Sequence, residues 1–229
     1  MKDNEELEEW VARALAGDYS ANKLGVFAND MWAVCGRASS LEPMRPLFSS
    51  NDANVLEIIS FLAFELHQEM RPFFQEIIEI INKTECADFR FSLYEAIAHS
   101  ATYEDGWVVA CLFDGLRDSE QAVRWKVMQL LTYLDDRAMV AGLKYLNSTR
   151  QGWTERGWRS ALAGAGSGKT TNLKKLLASD KQEDRLFATA ICLRPRHVIA
   201  QSLADLAAGA ADEETIDFVK RQTDRLTQM

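Results

Sequence analysis

Apolar and polar residues between Asp118 and Thr149 alternate with the period of two short helices. In each half, apolar residues recur three or four positions apart, which predicts one apolar face per helix. The first face holds Val123, Val127, Leu130, Leu131 and Leu134, and the second holds Met139, Val140, Leu143 and Leu146. Asp118 or Ser119 can cap the first helix, and Asp135 or Asp136 the second, by accepting a hydrogen bond from a first-turn N–H. One such hairpin cannot bury both of its faces, so the pattern predicts similar hairpins on either side.

The same pattern recurs along the chain at a nearly fixed interval. Predicted helix pairs start near residues 51, 86, 118, 150, 181 and 212, so successive spacings are 35, 32, 32, 31 and 31 residues. An arginine recurs early in the first helices, at Arg90, Arg124, Arg156 and Arg185. An alanine follows five or six positions later at Ala96, Ala161 and Ala190, where close packing of neighbouring helices is expected. A fixed period of helical hairpins is typical of a stacked array.

Two further helices, over about 3–15 and 20–36, precede the repeats. The stretch 37–52 contains Pro43 and Pro46 and is expected to be an irregular connection, because each proline disfavours helix at the residue before it. The expected division is an N-terminal helical cap over 1–50, helical repeats over 51–210 and a C-terminal capping helix over 211–229.

The repeats resemble a known family. The run DSEQAVRWKVMQLLTYL resembles the first helix of a HEAT repeat, and EDRLFATAICL is similar to a weaker copy. The resemblance covers about 51–210 and implies an all-α, right-handed α-solenoid of about five hairpins with capping helices. Tetratricopeptide repeats have a nearby period, but their W-x-x-L-G…Y…P pattern is absent. In HEAT-like arrays the second helix of each pair lines the concave face, which places there Gln75, Glu76, Glu79, Asp105, Asp114, Arg137, Lys144 and Lys175.

Residues 163–170, AGAGSGKT, match a relaxed phosphate-loop pattern with alanine in place of the first glycine. A phosphate loop follows a buried strand, and its backbone N–H groups surround the phosphate. The preceding WTERGWRSAL has helical character instead, and the repeat period places a turn between two helices here. Gly164, Gly166 and Gly168 are therefore expected to end one helix. No nucleotide is expected, and incidental anion binding at a helix N-terminus is the remaining alternative.

Charge is distributed unevenly over the 229 residues, whose formal net charge is −8. Residues 1–117 carry 20 acidic and 9 basic residues, whereas 118–229 carry 14 and 17. An acidic field attracts a basic partner, although a solvated acidic face could be the whole explanation. The partner-binding residues predicted on this basis are Glu76, Glu79, Asp105, Asp114 and Lys144.

Motifs for chemistry are missing from the sequence. His67, His99 and His197 form no metal-ligand pattern, no signature of a nucleophile is visible, and the four cysteines contain no C-x-x-C pair. We expect no catalytic residue, cofactor or metal, and free thiols at Cys111 and Cys192 in a reducing cytoplasm. No apolar stretch approaches the roughly 20 residues of a membrane span.

These features favour a non-catalytic protein-binding module. A small, acidic, repeat-built chain is also similar to a bacterial immunity protein, which covers the active site of a toxin.

Nucleic acid is the alternative partner. Residues 150–200 hold 10 basic and 4 acidic residues, with Trp153 and Trp158 among them. Some HEAT-like proteins are alkylpurine DNA glycosylases, which use a basic concave face with aromatic residues and an aspartate. The acidic first half of the chain opposes duplex binding, and the tryptophans are alternatively expected to pack between helices.

Overall fold

The computed structural model describes residues 2–19, 23–149, 155–194, 200–210 and 212–227, and this part of the chain is all-helical, without strands. The first five helices are α1 (Lys2–Leu15), α2 (Leu24–Cys35), α3 (Ala53–Leu66), α4 (Phe74–Lys83) and α5 (Ala87–Ser100). The next eight are α6 (Gly106–Asp114), α7 (Gln121–Tyr133), α8 (Asp136–Thr149), α9 (Glu155–Gly166), α10 (Thr171–Leu177), α11 (Gln182–Cys192), α12 (Ala200–Ala208) and α13 (Glu213–Thr227). Short 3-10 helices cover Glu42–Ser49, His67–Phe73 and Gly115–Arg117. None of the described helices is long and apolar enough to cross a membrane.

The predicted helix starts are confirmed. Helices α3, α5, α7, α9, α11 and α13 begin within five residues of the predicted starts. Asp52 caps α3 by accepting hydrogen bonds from the N–H groups of Asn54 and Val55, and Asp135 caps α8 in the same way. The prediction that Asp118 or Ser119 caps α7 is wrong, because the capping position is Glu120. The Asp118 carboxylate instead accepts from the Glu120 N–H and stabilises the preceding turn.

The chain packs as two compact units, residues 1–100 and 101–229. The predicted three-part division, the predicted solenoid and its repeat number stay predictions. In the first unit, α3 packs against α2, α5 and two of the 3-10 helices. The connection expected to be irregular contains the 3-10 helix Glu42–Ser49, because the fixed φ of proline is compatible with that conformation. Met44 and Leu47 of this helix are fully buried, and Phe48 stacks on Phe73.

Helix α11 is the centre of the second unit. It packs against α7, α9, α10, α12 and α13, and every residue from Leu186 to Cys192 is fully buried. Trp158 of α9 is also fully buried, with its ring stacked on Phe187 at a centroid distance of 4.3 Å. Its indole N–H donates to the buried Asp184 carboxylate at 2.6 Å, and the Ser179 hydroxyl donates to the other carboxylate oxygen. The expectation that Trp158 packs between helices is confirmed, and Trp153 lies outside the described residues.

Three of the four recurring arginines make the same contact. Nη1 donates a hydrogen bond to the carbonyl oxygen six residues earlier: Arg90 to Thr84, Arg124 to Asp118 and Arg185 to Ser179, at 2.7 to 3.0 Å. We call this contact the arginine clamp. It fixes the loop that precedes the first helix of each predicted pair to the first turns of that helix. The side chain of Arg156 lies outside the described residues.

The predicted inter-helix turn at 163–170 is confirmed. Gly168 has a φ of +75°, its N–H donates to Ala165 O, and the Lys169 N–H donates to Gly164 O at 2.8 Å. These two bonds form a Schellman motif, which satisfies carbonyl groups at the end of α9. A Cβ at Gly164 would lie 2.6 Å from the Lys169 carbonyl oxygen, so the close approach requires glycine.

Candidate ligand-binding grooves

The two predicted site residues on α4 both have basic partners within the chain. Glu76 is half-buried and pairs with Arg45, whose guanidinium also binds Glu42 and lies over the Phe73 ring. The hydrogen bond from Arg45 lowers the pKa of Glu42. Glu79 is exposed and lies 3.2 Å from the ammonium group of Lys83. Both carboxylates are therefore partly neutralised before any partner arrives.

The predicted acidic residues of the second unit lie at opposite ends of α6. Asp105 precedes the helix, and its carboxylate accepts hydrogen bonds from the N–H and the hydroxyl of Thr102, both at 2.9 Å. This carboxylate therefore organises the turn before α6. Asp114 is the last residue of α6 and is half-buried. Asp105 therefore has a structural role in this turn. It does not lie close to Asp114, because the length of α6 separates the two residues.

Lys144, the fifth predicted residue, lines a groove between α6 and α8 with a volume of about 700 Å³. We call it the aromatic groove, because three exposed rings line it: Tyr103, Trp107 and Tyr145. The other lining residues are Glu104, Gly106, Asp136, Arg137, Val140 and Ala141. Arg137 was predicted to face the same surface as Lys144, and the structure places both in this groove.

Two glycines allow α6 and α8 to approach closely enough to form the floor of the aromatic groove. A Cβ at Gly106 would lie 2.8 Å from the backbone carbonyl oxygen of Ala141. A Cβ at Gly142 would lie 2.7 Å from a methyl group of Val109. Because side chains essentially never approach so closely, this spacing depends on the absence of a side chain at both positions.

A second groove lies between α3 and α5 in the first unit, with a volume of about 590 Å³. We call it the acidic groove. Its lining residues are Glu57, Ser60, Phe61, Phe64, Cys86, Asp88, Phe89 and Ser92, and none of them is basic. Glu57 and Asp88 are exposed, and the Phe64 ring is 39% exposed. Neither carboxylate makes an ion pair with another residue in the described ranges.

Sequence reasoning missed the acidic groove, although a signal for it was present. The predicted apolar stripe of α3 runs through Val55, Ile58, Ile59, Leu62 and Leu66, and all five are buried. The aromatic residues Phe61 and Phe64 fall outside this stripe, and Phe61 is half-buried whereas Phe64 is exposed. Aromatic residues grouped outside the apolar stripe of a helix indicate a contiguous apolar patch, which is a feature of binding surfaces.

Among the histidines and cysteines, only Cys86 lies in one of the two grooves within the described residues. His67 and His99 are exposed, with ring centroids 5.5 Å apart, and His197 lies outside the described residues. Among the described residues, no three His, Cys, Asp or Glu side chains are placed to hold a metal ion. Cys35, Cys111 and Cys192 are buried, whereas Cys86 is exposed in the acidic groove. Burial raises the pKa of Cys35 and of Cys192 to about 12.

The chain matches no protein-family model, no curated protein and no solved structure. The geometry of the two grooves is therefore the basis for a functional assignment.

Proposed function

We propose that this protein is a non-catalytic, HEAT-like helical-repeat module that binds a basic protein partner, with the acidic groove as the binding site. The observation that carries this proposal is the lining of the groove, in which Glu57 and Asp88 stand beside three phenylalanine rings without a basic residue. These acids differ from the predicted Glu76 and Glu79, which have basic partners of their own.

The lining is suited to lysine and arginine side chains. Their aliphatic stems can pack against Phe61, Phe64 and Phe89 while their charged ends reach the carboxylates. A cation over an aromatic face gains further electrostatic attraction. The surrounding unit adds a long-range field of the same sign, because residues 1–100 carry 17 acidic and 8 basic residues. Such a field speeds association with a basic protein.

An inhibitor of the immunity type is a specific form of this proposal. A basic enzyme would be held by its cationic surface, and its active site would be covered by the bound module. This form shares its chemistry with the general one, so both are tested by the same charge reversals in the acidic groove.

The repeat identity is supported by the arginine clamp, which recurs in three hairpins at matching positions. It is also supported by close packing at the predicted alanines, since Ala96, Ala161 and Ala190 are buried. Helix α7 packs on α11, two hairpins further along the chain. We propose a HEAT-like solenoid whose C-terminal hairpins make this additional contact.

The first test measures binding of a fluorescein-labelled helical peptide made of leucine and lysine. We expect saturable binding that weakens with added salt, because charge pairs dominate it. Glu57→Lys combined with Asp88→Lys should weaken binding at least tenfold. Glu5→Lys combined with Glu9→Lys is the matched control, since both residues are exposed on α1 and change the net charge equally. Equal losses in the two double variants would show that overall charge, and not the groove, binds the peptide.

The second test uses Cys86 to identify the natural partner. Cys86 is exposed and the other three cysteines are buried, so a maleimide-linked benzophenone can be attached in the groove selectively. Illumination in an extract of the native cells should crosslink one basic protein. The crosslink should disappear in the Glu57→Lys, Asp88→Lys variant and persist in the α1 control. A crosslinked protein that is acidic, or that is retained by both variants, would contradict the proposal.

A further inference from the structure

We propose that the aromatic groove of the second unit binds single-stranded nucleic acid, with bases stacked on Trp107 and Tyr145 and phosphates paired with Arg137 and Lys144. This inference concerns a different unit and a different ligand from the proposed function, and neither depends on the other.

The first argument is the exposure of the aromatic rings. Tyr103, Trp107 and Tyr145 are 57%, 39% and 42% exposed, although rings of this size are usually well buried. All three line one groove. Exposed rings grouped in a groove offer flat surfaces on which unpaired bases stack, and every base has such a face.

The second argument is the charge of the groove. Arg137 and Lys144 are exposed and make no ion pair within the region that the structure describes. Asp136, an acidic lining residue, is bound by the guanidinium of the fully buried Arg194. Arg194 also donates to the Leu134 carbonyl oxygen at 2.6 Å, which fixes its position. Glu104 is the second lining carboxylate, so the lining holds two basic and two acidic side chains, and the buried Arg194 offsets the charge of Asp136 from outside the groove.

The third argument is the continuation of the groove along α8. Another groove, of about 590 Å³ between α8 and α9, shares Asp136 and Val140 with the aromatic groove and adds Arg159. Residues 137–181 contain nine basic and two acidic residues, and of these bases Arg137, Lys144 and Arg159 line the two grooves. Three cations beside three exposed rings fit a linear polyanion with exposed bases better than they fit a duplex, whose bases are stacked internally.

The charge test measures the fluorescence anisotropy of a labelled thymidylate dodecamer with the full chain at about 50 mM salt. Arg137→Glu combined with Lys144→Glu should weaken binding at least tenfold. It should also reduce the slope of log K against log salt by about 0.7 for each cation removed. Lys220→Glu is the control: Lys220 is exposed on α13 and does not line the groove. A single Lys144→Glu should lie between the control and the double variant.

The stacking test replaces one ring at a time. Trp107→Ala and Tyr145→Ala should each weaken binding about tenfold, the effect of losing one stacked base, and should leave the salt slope unchanged. Tyr133→Ala is the matched control, because Tyr133 is 58% exposed in the same unit and does not line the groove. Trp107→Phe keeps a ring and should restore most of the affinity, which separates stacking from a loss of folding.

Four results would overturn the inference. The first is that the native chain does not bind the dodecamer at low salt, and the second is that Lys144→Glu and Lys220→Glu lose the same affinity. The third is that Trp107→Ala binds with unchanged affinity. The fourth is that a labelled peptide of glutamate and tyrosine binds more tightly than the dodecamer. Binding of the dodecamer in preference to a duplex of the same length, with the predicted ranking of variants, would support it.

Discussion

At the scale of the residue, Arg124 joins three parts of the chain through one guanidinium. It donates to the carbonyl oxygens of Asp118 and Ser119, and it binds both carboxylate oxygens of Glu214 at 3.0 Å. The side chains of Arg124 and Glu214 are each only 11% exposed. The Gln182 amide also donates to Glu214, at 2.6 Å, so helices α7, α11 and α13 meet at this carboxylate.

We predict that Arg124→Met destabilises the protein by about 3 kcal/mol, because it leaves a largely buried carboxylate without its cation. Arg37→Met removes a pair with Glu6 whose side chains are 58% and 46% exposed, and it should cost less than about 1 kcal/mol. Urea unfolding followed by circular dichroism measures both values. Similar small values for the two variants would mean that Arg124 adds little to stability.

Single residues also show why the predicted acids do not lie together. Glu76 pairs with Arg45, 31 positions earlier, and such distant pairing leaves no trace in the local pattern of α4. Asp105 and Lys144 were predicted from charge and helix position, and only Lys144 lines a groove. The exposure of Phe64 could have been predicted from the sequence, because this residue lies outside the apolar stripe of α3.

At the scale of the element, α6 and α8 are held together at a distance that glycine alone permits. Gly106 begins α6 beside the Ala141 carbonyl, whereas Gly25 in α2 has no atom within 4 Å of the position that a Cβ would occupy. Alanine favours helix over glycine by up to about 1 kcal/mol. Replacing each glycine with alanine therefore distinguishes the effect of helix propensity, at Gly25, from the effect of packing, at Gly106.

We predict that Gly25→Ala stabilises the protein by up to about 1 kcal/mol and that Gly106→Ala destabilises it by about 2 kcal/mol, because the backbone of α8 must move. Thermal unfolding of both variants measures the difference. Stabilisation by Gly106→Ala would show that α6 and α8 can separate without cost, and the aromatic groove would then not have a fixed width.

Most helix starts were predictable because their causes are local. A side-chain oxygen at Asp52 or Asp135 and the first turn that it caps lie within three residues. The helical segment Glu42–Ser49 was missed because its two prolines resemble breakers, and its buried Met44 and Leu47 depend on contacts with other elements. Local chemistry thus determines where helices begin, and distant packing determines which short segments become ordered.

At the scale of the whole chain, the C-terminal helix is part of a core. Phe218 of α13 is 1% exposed and meets the ring of Trp125 on α7 at a centroid distance of 5.9 Å. The guanidinium of Arg221 covers the same ring at 4.6 Å. Periodicity predicted this helix but not its partner, because α7 lies about 90 residues earlier.

We predict that Phe218→Ala destabilises the protein by about 4 kcal/mol, as expected for a buried ring. Asp217→Ala, on the exposed side of the same helix, should change the stability by less than about 0.5 kcal/mol. A chain ending at residue 212 should unfold at a markedly lower temperature than the full chain. An unchanged melting temperature of that shorter chain would mean that α13 does not contribute to the stability of the second unit.

The arginine clamp also affects how internal duplications can be detected. Its acceptor is a main-chain oxygen, so Thr84, Asp118 and Ser179 serve equally well, although their side chains differ. If an ancestral unit were copied, every other position of the loop could change while the clamp still formed. Related units would then share one arginine and its separation of six residues from the carbonyl acceptor, and little else that a sequence alignment could detect.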